Sequence, residues 1–354
     1  MNDSKSQQLN KTGPRFFYGY IVVIAAFFIL LISFGVHNSF SIFFNPLITE
    51  FGWSRAMTSG AFSLSMIMYG VLSIAMGGLT DRFSPRLVVT FCGVLLGLGY
   101  LLISQLNAIW QLYLFFGVIV GIGMSGVWVP QMSSVARWFV KRRSLMTGIV
   151  VAGTGISQLI TPLVVSRLIT IYDWRLSYAI LGGVILIVMV LAAQFLRRDP
   201  AQMGQLPYGE NERKQQELKS ETKGLSFKEG VKTIQFWVAF MILFCSGFWF
   251  SAIMVHFVPH AIDLRIPAVS AANILAVMGG ISILGNYVLG GVGDRIGNRK
   301  VFIIGFILLA ASLFWLVSAT EPRRLRHGND LRSPSGGSQM RFGRCGQRQG
   351  SRRR

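Results

Sequence analysis

The chain has 354 residues, 52% of them hydrophobic and 14% charged, with a mean hydropathy of +0.52. Soluble domains carry about 25% charged residues, so the composition excludes an ordinary soluble enzyme. The formal net charge of +20 would suit nucleic acid, but most basic residues lie in short segments between apolar blocks. A membrane charge bias puts them there, and no nucleic-acid partner is expected.

In chain order, Met1 to Pro14 is polar and precedes an apolar block too long for a signal core, with no small-residue cleavage site after it. No cleaved leader is expected. Apolar blocks of bilayer-crossing length then recur, at roughly 20 residues each. Nine spans are predicted: Tyr20–Phe43, Met57–Leu79, Leu87–Leu106, Leu112–Ala136, Leu145–Ile169, Leu176–Phe195, Phe236–His256, Val269–Val292 and Val301–Ser318. Runs of this length with short loops are helices, because a membrane barrel needs shorter alternating strands. The expected class is an all-α polytopic membrane protein.

The basic residues set its orientation. Lys5, Lys11 and Arg15 precede the first span, Arg82 and Arg86 follow the second, and Arg137, Lys141, Arg142 and Arg143 follow the fourth. Arg197 and Arg198 follow the sixth, and Arg295, Arg299 and Lys300 the eighth. The other face holds only Arg55, Arg167, Arg175 and Arg265. The N-terminus is therefore predicted on the cytoplasmic side.

A polar stretch over 197–232 separates six spans from the rest. The expected organisation is a six-helix bundle over 1–196, this linker, a three-helix partial bundle over 233–320, and a tail over 321–354. Residues 77–86 read GGLTDRFSPR at the end of the second span, and 290–300 read GGVGDRIGNRK at the end of the eighth. Each closes the second helix of its half. Parallel halves of this kind are a transporter architecture. In this pattern the glycines (Gly77, Gly290) admit close helix contact. The carboxylates (Asp81, Asp294) can bind Arg or a helix N-terminus and fasten two helices together. Arg82, Arg86, Arg295, Arg299 and the Lys141–Arg143 cluster complete the basic face.

With these loops the sequence resembles the major facilitator superfamily, and more narrowly its bacterial monocarboxylate-porter and oxalate:formate-antiporter group. The likeness is carried also by Tyr18-Gly19-Tyr20, Phe51-Gly52-Trp53-Ser54-Arg55, Trp138 through Leu145 leading to Gly148, Asp173-Trp174-Arg175, Pro200 to Gly204 and Pro207-Tyr208-Gly209. It covers roughly residues 15 to 320 and departs from the family loop at Ser84, where Gly is usual. The resemblance implies the major facilitator fold, alternating access by a rocking of two halves, a small organic anion as substrate with a proton as the possible coupled ion, and a bacterial inner-membrane location. No cofactor, metal or enzyme activity is implied. Cys92, Cys245 and Cys345 have no metal-type or redox-type spacing.

Polar side chains inside spans are functional candidates by default. His37 and Asn38 stand where animal relatives carry a Lys that handles proton and carboxylate, and Tyr69, Gln131, Gln158 and Asn273 are the other cavity candidates. The eighth span offers Asn273 and Asn286 but no cation, which disfavours an oxalate-specific site. A monocarboxylate is the expected substrate; another organic solute, such as a sugar acid or amino acid, is the alternative. After Thr320 the composition changes abruptly, with ten Arg and no Lys between Glu321 and Arg354. That pattern predicts a frameshifted tail, and an incomplete second bundle that does not transport by itself.

Overall fold

The computed structural model describes residues 17–209, 227–263, 268–297, 299–312 and 314. Helices dominate, and no strand occurs among the described residues; an isolated bridge joins Phe139 to Tyr208. Among the described residues six helices are long and apolar enough to cross a membrane: α1 (Gly19–Phe51), α2 (Arg55–Arg82), α3 (Pro85–Ile103), α4 (Ile109–Trp138), α5 (Arg143–Tyr172) and α6 (Trp174–Phe195). Two more follow, α7 (Ile234–Asp263) and α8 (Ala268–Ile296). Residues up to Asn298 form one compact unit. A second begins at Arg299 and is helical over 299–312. The tail after 314 lies outside the described residues.

Local sequence sets the helix starts. The Ser54 hydroxyl accepts the Met57 N–H at 3.2 Å to open α2, and the Ser84 hydroxyl accepts the Arg86 N–H at 3.2 Å to open α3. Pro85 follows Ser84 at the first helical position, where its missing N–H costs nothing. The departure from Gly at Ser84 thus supplies a helix cap.

The first helix differs from expectation. It breaks at Ser39 and resumes to Phe51, eight residues past the predicted end. Phe43 and Leu47 are fully buried and prolong its apolar face. It stops at Gly52, which takes the left-handed conformation (φ 66°) and returns its N–H to the Ile48 carbonyl at 2.9 Å.

The core lies among the six long helices. Val22, Ala26, Ile29 and Leu30 of α1 are buried with Val89 and Leu96 of α3, Val150 of α5, and Leu181 and Ile185 of α6. Ile67, Val71 and Ile74 of α2, and Phe240, Leu243 and Phe244 of α7, are exposed. Such apolar surface is what a bilayer solvates.

Candidate functional site

The duplicated loops do two different things. At the end of α2, the Asp81 carboxylate meets the Arg137 Nη2 at 2.7 Å. Arg137, at the end of α4, also lies 3.5 Å from Asp199 in the segment after α6. Asp81 thus pairs with a side chain of the same six-helix set, and its own side chain stays 70% exposed.

Asp294, at the end of α8, reaches instead to the start of α5. Its Oδ1 accepts the Ser144 N–H and its Oδ2 the Leu145 N–H, both at 2.9 Å. The first N–H groups of a helix need such acceptors. The residue at the capping position of α5 is Arg142, which has no side-chain oxygen to offer and sits in the left-handed region at φ 62°. The cap therefore arrives from a helix 149 to 150 residues away in sequence. An acid there also offsets the unfavourable meeting of Lys141, Arg142 and Arg143 with the positive end of α5.

Small residues allow this approach. A methyl group at Gly290 would stand 2.7 Å from the Ser144 carbonyl oxygen and 3.1 Å from the Leu145 Cα; one at Gly148 would overlap the Asn286 carbonyl oxygen. Further along the same contact, a methyl at Gly155 would stand 2.9 Å from Ile283 Cγ1. Gly77 is less confined, its nearest neighbour being Val129 at 3.5 Å. The Arg82 guanidinium is exposed and lies 5.8 Å over the Phe83 ring, and Arg86 is half-buried in the first turn of α3. Lys141, Arg142, Arg143 and Arg295 are exposed around the capped helix start, while Arg299, also exposed, belongs to the second unit.

The interior candidates separate. His37 is buried, shares a 3.0 Å hydrogen bond with Ser65 Oγ through Nε2, and packs against the rings of Phe116 (5.4 Å) and Phe62 (5.1 Å). Asn38, beside it in sequence, is exposed. Phe34, Tyr69 and Trp128 meet edge to face, at 6.4 and 5.7 Å from the Phe34 centroid. Gln131, about one turn beyond Trp128, is fully buried, and neither its amide nitrogen nor its oxygen has a hydrogen-bond partner among the described residues. Gln158 is exposed on α5. Asn273 belongs to α8, and its side chain is outside the described residues. Among the described residues no Asp, Glu, Lys or Arg is buried, and no group of metal-ligating side chains occurs.

Two arrangements escaped sequence reasoning. Glu50, Trp174 and Arg175 form one hydrogen-bonded set. Tyr208 is bonded through its backbone to the loop between α4 and α5. The residues themselves stood out, as Asp173-Trp174-Arg175 and Pro207-Tyr208-Gly209, but their partners are carbonyls, N–H groups and a carboxylate far away in sequence.

A bundle of long apolar helices with a repeated acidic loop, one copy pairing with Arg137 and the other capping the start of α5, defines a polytopic membrane protein of transporter architecture. The chain belongs to the Major Facilitator Superfamily, whose family model matches residues 22–325. This is a family of transporters and not of enzymes. The chain is similar to monocarboxylate transporter 12 of Xenopus laevis, with 27% identity over 305 residues, 82% of this chain and 66% of the relative. It is 26% identical over 327 residues to the oxalate:formate antiporter of Oxalobacter formigenes, 90% of this chain and 73% of the relative. Bovine monocarboxylate transporter 13 is 31% identical over 175 residues, 49% of this chain and 39% of the relative. Among solved structures, a bacterial homolog of the human lysosomal transporter Spinster, inward-facing and unoccupied, superposes with a TM-score of 0.53 at 19% identity. That match covers 81% of this chain and 64% of the solved one. The expected fold and family both hold.

Proposed function

We propose that the protein serves secondary transport of small monocarboxylates by alternating access, coupled to a proton or a counter-anion. The observation that carries the reading is the Asp294 cap on α5, a contact that holds when α5 and α8 are together and is lost when they part. The names of the relatives support the substrate class, since they include monocarboxylate transporters and an oxalate:formate antiporter. The interior agrees with a weakly charged, small ligand, given that no charged side chain is buried among the described residues.

In this reading residues 1–196 and 233–320 belong to two halves joined by the polar linker. The protein lies in a bacterial inner membrane with its N-terminus, the Asp81–Arg137 pair and the Asp294 cap on the cytoplasmic side. These two contacts fasten the cytoplasmic end, Tyr69 and Trp128 offer the substrate-facing surface, and Gln131, buried one turn beyond Trp128, meets a ligand only after a rearrangement. His37, enclosed by rings, requires a rearrangement before it meets a ligand.

The test is uptake of labelled lactate and pyruvate, competed by a panel of sugar acids and amino acids. It is run in cells expressing a version extended to the length of its relatives, beside cells expressing the 354 residues alone. Saturable uptake competed by monocarboxylates is expected of the first, and vector-level uptake of the second. Uptake competed only by sugar acids or amino acids would move the protein to another substrate class.

A further inference from the structure

The start of α5 is held from two sides. On one side stands the Asp294 cap on Ser144 and Leu145. On the other, the segment after α6 folds back onto the loop that leads into α5. The Tyr208 carbonyl accepts the N–H groups of Val140 (3.1 Å) and Lys141 (2.9 Å), and the Tyr208 N–H donates to the Trp138 carbonyl at 3.0 Å. These are the two-way bonds of a short strand pair. Only Arg142 and Arg143 separate the last clipped N–H from the first capped one.

The returning segment is well anchored. The Trp138 indole N–H donates to the Arg197 carbonyl at 3.0 Å, and Gln205 Oε1 accepts the Tyr18 N–H at 3.1 Å. The Phe17 ring lies 5.7, 5.4 and 5.8 Å from the rings of Trp138, Phe139 and Tyr208. Gly209 has φ 90°, and a methyl there would stand 3.1 Å from the Lys141 nitrogen. Neither feature admits an ordinary side chain.

We infer that Tyr208 and Gly209 form a positioning clip, which presents the first turn of α5 to Asp294 and so sets the strength of that contact. The inference rests on the reading of Asp294 as a fastening between helices, and deepens it. Without the clip, the helix start carries Lys141, Arg142 and Arg143 against its own positive end and frays, because helix ends without partners do so readily. Ordering it again before Asp294 can bind then costs part of the contact's free energy. The clip belongs to the segment after α6, so loosening Tyr208 and Gly209 loosens the fastening at α5. This makes the segment after α6 a control point for the α5–α8 contact.

Hydrogen–deuterium exchange of the purified full chain tests this. The amides of Val140 and Lys141 report the clip, those of Ser144 and Leu145 the cap, and those of α6 the integrity of the bundle. Asp294→Ala should release Ser144 and Leu145 and leave Val140 and Lys141 protected; unchanged cap amides there would remove the fastening on which the inference rests. Gly209→Val should release the clip amides and speed exchange at Ser144 and Leu145 about fivefold or more, the factor that a helix cap is typically worth. Clip amides released with cap amides unmoved would overturn the clip's positioning role. If Gly209→Val also exposes α6, Phe17→Ala is the milder probe, since it removes the aromatic backing and leaves every backbone bond possible. It should speed clip and cap amides together, and a change confined to the clip refutes the inference in the same way.

Discussion

Arg175 and Glu50 are 125 residues apart in sequence, and their Nη2 and Oε1 atoms are 2.7 Å apart. The same guanidinium donates through Nη1 to the Leu106 carbonyl at 2.9 Å and lies 4.5 Å over the Trp174 ring. The Trp174 indole N–H in turn donates to the other Glu50 oxygen. One cation therefore joins the end of α1, the loop after α3 and the start of α6, at the end of the bundle away from Asp81.

Arg175→Lys should lower the stability of the bundle, although the charge is kept. An ammonium cannot serve a carboxylate and a carbonyl in the fork geometry while stacking on an indole. The pair is partly exposed, with side chains 33% and 41% accessible, and exposed ion pairs are worth little. The expected loss is therefore about 1–2 kcal/mol, most of it from the carbonyl bond and the stacking. Glu50→Gln should cost less, because an amide oxygen can still accept from Trp174 or Arg175. Thermal unfolding in detergent reads both, and equal midpoints for the lysine variant and the parent would count against the set.

The two repeated loops should not respond alike to the same mutation. Asp81→Ala leaves Arg137 with Asp199 3.5 Å away, so a replacement partner is at hand and transport should slow modestly. Asp294→Ala leaves two helix N–H groups without an acceptor, at a cost of about 1 kcal/mol, and no neighbouring residue in the chain before α5 can supply one. Read in the version extended to the length of its relatives, initial uptake rates of the two variants should fall in that order, with Asp294→Ala the slower. An unchanged rate for both variants would end the fastening role of the loops.

The fold was legible in the sequence because bilayer thickness imposes a length on every span and charge bias imposes a side. Asp81 and Asp294 were also legible as a pair, since the loop is written twice. Their unequal duties were not. Asp294 binds N–H groups, which every residue but proline carries, so nothing in the letters of Ser144 or Leu145 announces the contact. The same holds for Tyr208, which works through its carbonyl and N–H, and for Gly209, whose φ of 90° leaves no mark beyond the glycine itself. The end of α1 was missed for another reason: burial of Phe43 and Leu47 carries the helix beyond the length that the membrane alone demands.

Gly290→Val should weaken the α5–α8 contact without touching a charged group. The added carbons would meet the Ser144 carbonyl and Leu145 Cα within about the first contact shell, so the helices must separate or shift. Separation lengthens both Asp294 bonds and exposes the start of α5. A cysteine placed at Ser144 should therefore react faster with a water-soluble maleimide in the Gly290→Val background than in the parent. Equal rates would mean that the two helices are not held by this approach.

Gln131 offers the clearest division between stability and function. Its side chain is buried with neither amide atom bonded, and an unmet buried polar group costs about 1–3 kcal/mol. Gln131→Met, close in shape and without a polar demand, should therefore raise the unfolding midpoint, by an amount equivalent to about 1–2 kcal/mol. A residue that only packs would gain stability and leave transport unchanged. A residue that waits for a ligand would gain stability and lose uptake, because the amide's donor and acceptor are then missing when a carboxylate arrives. The expected result is the second, a more stable protein with lactate uptake, read in the version extended to the length of its relatives, reduced about tenfold, the size of one lost hydrogen bond to a charged group. A stabilised variant with undiminished uptake would return Gln131 to the core and leave Tyr69 and Trp128 as the substrate-facing surface of α2 and α4.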